Sequence, residues 1–435
     1  MTAPAYGLIF NETETAPYAL VAGDLSTIGL VLCQDDADPT TFPVGKPVFF
    51  NSSDPTYISA VAPAIPKIGA TGDLARAVAS INNQVSQFQS GAAIVVITVT
   101  RGADLPTTVT AIAAALPALL TAGSITGYIP RLIGCPGYTG YQATNATANA
   151  VCAALPAILT SLNAVAYVSD AGDGVQANAL AWRQMLASDR LVPCDAWVLP
   201  GSGGATYYDG VAEALGLQVA VDSQHNSPVG SVPGWSISGH QVQGIGGLKN
   251  HYPFSLTDGS TQGQQLLAAQ IAIIEAGVIG SDVAAASSGF VWQGVWNAST
   301  DPNAWFVNKR RMKDWCYLQL IKSMRRHIGV ENTTPQSIED VLLDMKVLGS
   351  FLLSQQISIG FKVTFVASQT SPSNLQQGQF TVGFANETPA PITVISVLSS
   401  DYFPALVVEE QTIIAEASGI TPGYIAAASQ ASTGA

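Results

Sequence analysis

The chain has 435 residues, of which 48% are hydrophobic and only 11% charged, with 17 basic residues set against 30 acidic ones. A net charge of −13 excludes a general nucleic-acid binder, which needs a broad basic surface, and a mean hydropathy of +0.29 excludes intrinsic disorder. No run of eighteen uninterrupted apolar residues occurs, so no membrane insertion is expected; the longest candidates are broken by Pro117, Pro156 or polar residues.

The first predicted element is an arm. Tyr6, Leu8 and Phe10 alternate in a short β-prone run, followed by a polar stretch and Pro17, so a strand here pairs within the fold or reaches a neighbour. From Thr27 onward, apolar runs alternate with helical patterns. Strands are expected at 28–33, 47–50, 92–99, 131–135, 164–168 and 196–199, and helices at 73–87, 107–121, 146–162 and 175–187. The run from Ala92 to Val99 is apolar apart from Thr98, as in a strand covered on both faces. Such alternation predicts a layered α/β sheet.

Residues 200–265 are rich in turn residues. Helices are then expected at 263–277, 304–328 and 334–356, and β-prone runs at 360–366, 378–384 and 392–398. The tail from 409 to 435 reads as flexible, its last part being rich in Ala, Ser, Thr and Gly.

Motifs for chemistry are missing. Gly201-Ser202-Gly203 and Gly244-Ile245-Gly246-Gly247 complete neither a dinucleotide fingerprint nor a phosphate loop with its Lys, and read as turns. His225, His240, His251 and His327 show no metal-ligand spacing, and no Gly-x-Ser-x-Gly elbow occurs. Asp35-Asp36-Ala37-Asp38 lacks further oxygen ligands in a recognisable pattern and reads as a solvated turn. Five scattered cysteines fit neither a disulfide framework nor a zinc site and are expected to be buried thiols. No catalytic residue, metal site or cofactor site follows, and no enzyme is expected.

Two features point to contact with other protein. A compact monomer of this mass exposes about 16,000 Å², which leaves roughly twice the usual area per charge. Seven of the seventeen basic residues also crowd into the eighteen positions 309–326, with Asp314 the one acid among them. On a helix, Arg311, Lys322, Arg325 and Arg326 fall within about a 100° arc, while Tyr317, Leu320, Ile321, Met324 and Ile328 gather opposite. The expectation is a buried apolar face and a cationic face that is either solvated or docks on an acidic partner.

The order of segments resembles the contractile tail sheath proteins of phages and related injection particles, particularly the short sheath type. The resemblance rests on Ser26-Thr27-Ile28-Gly29-Leu30-Val31, Asp36-Ala37-Asp38-Pro39 and Phe42-Pro43-Val44-Gly45-Lys46-Pro47-Val48. Further signposts are Thr71-Gly72-Asp73-Leu74, Ile94-Val95-Val96-Ile97-Thr98-Val99, Pro130-Arg131-Leu132-Ile133, Phe306-Val307-Asn308-Lys309-Arg310-Arg311 and Thr388-Pro389-Ala390-Pro391-Ile392. The chain departs from the family at Trp235-Ser236-Ile237-Ser238-Gly239-His240, and its tail beyond Val408 is longer than the short type needs.

What the resemblance implies is an α/β protein, α+β overall. An outer α/β domain, 26–265, would be inserted into a core domain made of the N-terminal arm, 1–25, and residues 266–408. The small core sheet would be completed by neighbours' arms, with Tyr6, Leu8 and Phe10 at one end and Ile392, Val394 and Leu398 at the other. It further implies a homo-oligomer of stacked hexameric rings around an inner tail tube, with baseplate and tail terminator proteins as further partners. Contraction would drive the tube through an envelope, in a virion tail or phage-tail-like particle assembled in the bacterial cytoplasm. Arg311, Lys322, Arg325 and Arg326 would grip the tube. The competing expectations are an α/β hydrolase or nucleotide-dependent enzyme with an unrecognised site, and a non-contractile shell or surface-layer protein.

Overall fold

Runs of Val and Ile with little polar interruption form a sheet buried on both faces. The computed structural model describes residues 25–60, 65–86, 91–144, 147–201, 203–227, 230–278, 289–401 and 403–418. Its first strands are β1 (Ile28–Cys33), β2 (Val48–Asn51), β3 (Ala93–Val99), β4 (Leu132–Gly134), β5 (Val165–Ser169) and β6 (Leu191–Asp195). The connecting helices are α1 (Pro55–Ile58), α2 (Asp73–Val85), α3 (Leu105–Ala115), α4 (Ala122–Thr126), α5 (Ala150–Leu162) and α6 (Gln176–Gln184). Next come β7 (Trp197–Pro200), β8 (Tyr208–Asp209), α7 (Val211–Gln224), β9 (Asn226–Ser227), β10 (Gly230–Ser231) and β11 (Ile245–Leu248). Then α8 (Gln262–Ala268), β12 (Ala272–Ala276) and β13 (Phe290–Gln293) lead to two long helices, α9 (Val307–Met324) and α10 (Pro335–Ser354). The chain continues through β14 (Gly360–Phe365), α11 (Pro372–Gln376), β15 (Val382–Glu387) and α12 (Phe403–Ser418).

The main sheet runs β13-β12-β6-β5-β4-β1-β3-β2. Its six inner strands are parallel, and only the edge strands β2 and β13 run antiparallel to their neighbours. Every residue of β1, β4, β5 and β6 is buried, as covering helices on both faces require. On one face, α7 crosses α2 closely: a Cβ on Gly216 would lie 2.9 Å from the Cα and carbonyl oxygen of Ile81, so glycine permits the approach. The helical run Leu105–Thr126 is long and apolar enough to cross a membrane by length and composition. It is interrupted by a 3₁₀ turn, Leu116–Thr121, and Val109, Ile112, Leu116 and Leu119 are buried in the main core.

The acidic turn differs from its expectation. Asp36 accepts from the backbone N–H groups of Ala70, Thr71 and Gly72 at 2.8, 2.9 and 2.9 Å, just before α2. Asp35 takes a two-pronged contact from Arg101, at 2.7 and 2.8 Å, which with the other hydrogen bonds holds its carboxyl below the ordinary value. These carboxylates therefore clamp the start of α2 to the end of β1. The five cysteines are buried and unpaired; burial pushes the thiols of Cys152 and Cys316 up to about 12.

Two boundaries also move. The helix expected at 263–277 ends at Ala268, because Gln270 adopts a φ of 65° and the run Ala272-Ile273-Ile274 fits between β6 and β13 as a strand. The main sheet thus continues beyond 265, where the sequence placed the end of the outer domain. The strand expected at 196–199 is β7, in a smaller sheet with β8 and β11, and β6 precedes it despite Pro193.

The chain divides into two units, Met1–Pro391 and Ile392–Ala435. In the second, residues 392–401 have no regular secondary structure, and α12 covers 403–418, so the expected flexible tail is helical over its first ten residues. Residues 419–435 lie outside the described residues.

Two buried acids make stability pH-dependent. Burial pushes Glu213 on α7 up to about 7 and Asp209 up to about 6. The folded chain holds these protons where the unfolded chain, with carboxyls near 4, has released them. Their contribution is therefore complete below about pH 4 and is lost as pH rises through about 6 to 7. Glu213→Gln is expected to flatten stability against pH between about pH 5 and pH 8 by up to about 3 kcal/mol, read by urea unfolding across that range.

Candidate assembly surfaces

Helix α9 carries the basic cluster, and the structure turns it the opposite way from the expectation. Val307, Asn308, Arg311, Met312, Trp315, Gln319 and Ser323 face inward, whereas Tyr317, Ile321 and Ile328 are exposed; Leu320 and Met324 are half-buried. Arg311 is 2% exposed and cannot dock on a partner. Its two terminal nitrogens contact the oxygens of Asp222, on α7, at 2.8 and 2.6 Å, and one of them also donates to the carbonyl of Leu25 at 3.2 Å. Ser26 and Gln218 donate to the same carboxylate at 2.8 and 2.9 Å. Burial alone pushes a guanidinium down, but the charge and hydrogen bonds of Asp222 outweigh it and hold Arg311 above its ordinary value.

One turn further on, Asp314 closes a second buried pair. Arg190, from the turn before β6, reaches it at 2.6 and 2.9 Å, and Arg310 joins the same carboxylate while touching Asp189 at 3.1 Å. Lys309 pairs with Glu387 on β15 at 2.7 Å. Three of the seven bases, Lys309, Arg310 and Arg311, thus fasten α9 to other parts of the chain through Glu387, Asp189 and Asp222, while Asp314 on α9 itself takes Arg190 and Arg310. A charge count along the sequence cannot see this, because Glu387, Asp222 and Asp189 lie 78, 89 and 121 residues from their partners.

Of the other residues expected on the cationic face, Lys322 is half-buried and Arg325 is exposed. Arg326 pairs with Asp344 of α10. His327 bridges Glu331 at 2.7 Å and Asp344 at 3.1 Å. Helix α9 ends at Met324, so Arg325 and Arg326 occupy the turn that follows rather than the helical arc drawn from the sequence.

A second core cluster lies between the long helices. Met312, Trp315 and Cys316 meet Leu348, Leu352 and Ile357, together with Leu25 and Val232. On α10 sits the two-stranded antiparallel ribbon β14–β15, in register from Gly360↔Glu387 to Phe365↔Val382. The ribbon packs tightly there: a Cβ on Gly349 would lie 2.2 Å from the Phe361 ring, which also stacks on Phe384 at 6.4 Å. Among the described residues neither outer edge of the ribbon is paired. A groove of about 450 Å³ runs along residues 384–388, walled on the other side by Lys309, Lys313, Cys316 and Tyr317.

The expected C-terminal arm strand is present as bare chain. Ile392 and Val394 are exposed, and Leu398 is 100% exposed. Strand geometry requires a ladder, and the single chain supplies none at 392–398. Tyr6, Leu8 and Phe10 lie outside the described residues. Among the described residues no group of three or more His, Cys, Asp or Glu side chains is placed to hold a metal ion.

No family model matches the chain. It is 24% identical over 420 residues to the major tail sheath protein of Serratia phage KSP20, covering 92% of this chain and 96% of that protein. It is 29% identical over 282 residues to the tail sheath protein of Escherichia phage P2, covering 60% of this chain and 64% of that one. Among solved structures, the contracted helical sheath of the anti-feeding prophage is similar with a TM-score of 0.63 at 14% identity, over 92% of this chain and 99% of that chain. The contracted sheath complex of an extracellular contractile injection system, PVC, gives 0.63 at 14% identity, over 93% and 100%. The chain is therefore similar in sequence to phage tail sheath proteins and has the mixed α/β fold of contractile sheath subunits, as the resemblance read from the sequence implied.

The two classes of cation on α9 should separate on mutation. Arg311→Met leaves Asp222 buried without its counter-charge and is expected to cost about 3–5 kcal/mol. Arg325→Glu, at an exposed position, should stay within about 0.5 kcal/mol. Urea unfolding of the unassembled chain measures both.

Proposed function

We propose that this relative of phage tail sheath proteins is a structural subunit of a contractile sheath, which polymerises around an inner tube and contracts to drive that tube through a cell envelope. The observations that carry the reading are the two unpaired edges of β14–β15 among the described residues and, separately, an exposed apolar segment at 392–398, on a chain with the sheath fold. A neighbour's strand laid in the groove along 384–388 would satisfy backbone groups that the single chain leaves to water. Such main-chain joints hold while the bodies they connect reorient as rigid units, so contraction between two packings needs no nucleotide. The reading contains no enzymatic step.

The core domain in this reading comprises the N-terminal arm and the chain from α9 through the C-terminal arm. The continuation of the main sheet through β12 and β13 supports an outer domain that reaches about Gln293 rather than 265. Stacked hexameric rings, an inner tube, a baseplate and a terminator are the partners, and the particle is a virion tail or a phage-tail-like device. The tube contact is confined to the end of α9, with Lys322, Arg325 and Arg326; Arg311 has no part in it, being buried against Asp222.

Electron microscopy of the purified protein tests the central reading. Striated hollow tubules are expected, and a chain lacking residues 1–20 should form none; a discrete soluble particle from the full chain would overturn it. Arg325→Glu combined with Arg326→Glu should reduce co-sedimentation with purified tubes at least several-fold while the chain stays folded, and undiminished co-sedimentation would remove the tube contact from this turn.

A further inference from the structure

Two further surfaces stand out, although the inner side of the first, at Lys313 and Tyr317, also walls the groove along 384–388. The first is the outward stripe of α9. Lys313, Tyr317 and Ile321 stand at i, i+4 and i+8, in line on one side of the helix. Tyr317 and Ile321 are 43% and 59% exposed, and the Lys313 ammonium lies 6.0 Å from the centre of the Tyr317 ring.

The second surface is α12. Leu406, Val407 and Ile413 are 61%, 51% and 59% exposed. At 100° per residue they fall within about a 120° arc, with Glu410 inside it and Glu409 and Glu416 along one flank. A sixteen-residue helix with its apolar side in water is marginal by itself, so this face calls for a cover. The helix carries three acids and no base. Two copies of α12 face to face would oppose like charges, whereas the α9 stripe offers apolar surface bordered by cations.

We infer that the α12 of one subunit docks on the Lys313–Tyr317–Ile321 stripe of a second copy of the chain. Residues 392–401, without regular secondary structure, span up to about 33 Å when extended, which is enough for a helix to be delivered to a neighbour. The contact is a helix-on-helix clasp that borders the strand groove at Lys313 and Tyr317 and extends it to Ile321, and it gives the residues beyond the arm strand a role. It rests on the sheath reading only for the presence of the neighbouring copy.

Cross-linking between singly substituted chains tests it. All five native cysteines are buried, so a short bismaleimide reacts with introduced thiols. Chains carrying Ile321→Cys and chains carrying Ile413→Cys are co-assembled in equal amounts and treated with the reagent. A covalent dimer is expected at several-fold the level given by either variant alone or by Leu256→Cys, an exposed control in the loop before α8, paired with Ile413→Cys. Glu409→Lys with Glu410→Lys in the Ile413→Cys chain should remove most of that dimer. If either substitution blocks assembly, Tyr317→Cys with Leu406→Cys serves as the second pair. Tubules that form without selective dimer overturn the clasp and leave the sheath reading standing; a parent chain that forms no tubules overturns both.

Discussion

Burying a guanidinium is tolerable only where a carboxylate meets it, and this rule governs how α9 sits. Arg311 and Arg190 are both withdrawn from water, and each is met by both oxygens of one acid, Asp222 and Asp314. The remaining lone pairs of Asp222 are taken by Ser26 and Gln218, so the pair is satisfied as well as neutralised. Such pairs add little net stability over an apolar replacement. Their effect is positional, since sliding α9 by one turn would strand four charges at once.

That positional lock contrasts with backbone edges and apolar side chains that the single chain leaves uncovered. The ribbon β14–β15 is anchored inwardly by Phe361 against Gly349, and among the described residues its outer edges carry backbone groups without a ladder. Residues 392–398 expose Ile, Val and Leu side chains that an isolated protein would bury. In the proposed sheath, a body fixed internally by ion pairs and joined externally by strands would have the mechanical character of a linkage: rigid members with joints that do not depend on the angle between them.

The low charge of the chain takes on a specific meaning in this setting. Charges are few, and on α9 many of them are inside, spent on holding elements together rather than on solubility. What is left outside on that helix is an apolar stripe with a few cations along it. A surface of that kind is economical only when other protein covers it.

The sequence by itself determined the elements whose physics is local. Largely apolar runs announced β1, β3 and β5, the Gly72–Asp73 step announced the start of α2, and the ordered signposts announced the sheath fold. Tertiary structure alone decided which way α9 faces. A seven-base cluster over eighteen residues looks like a solvated cationic face because charge on a helix is ordinarily solvated; here the carboxylates of Asp222 and Asp189, far away in the chain, were brought to it and turned it inward. The same holds for Ala272–Ala276, whose helical start was overruled by an open position between β6 and β13, and for Asp36, whose carboxylate found three backbone donors instead of water. Local preference is legible in a string of residues, but desolvation is not, because its sign depends on which distant group arrives to replace the water.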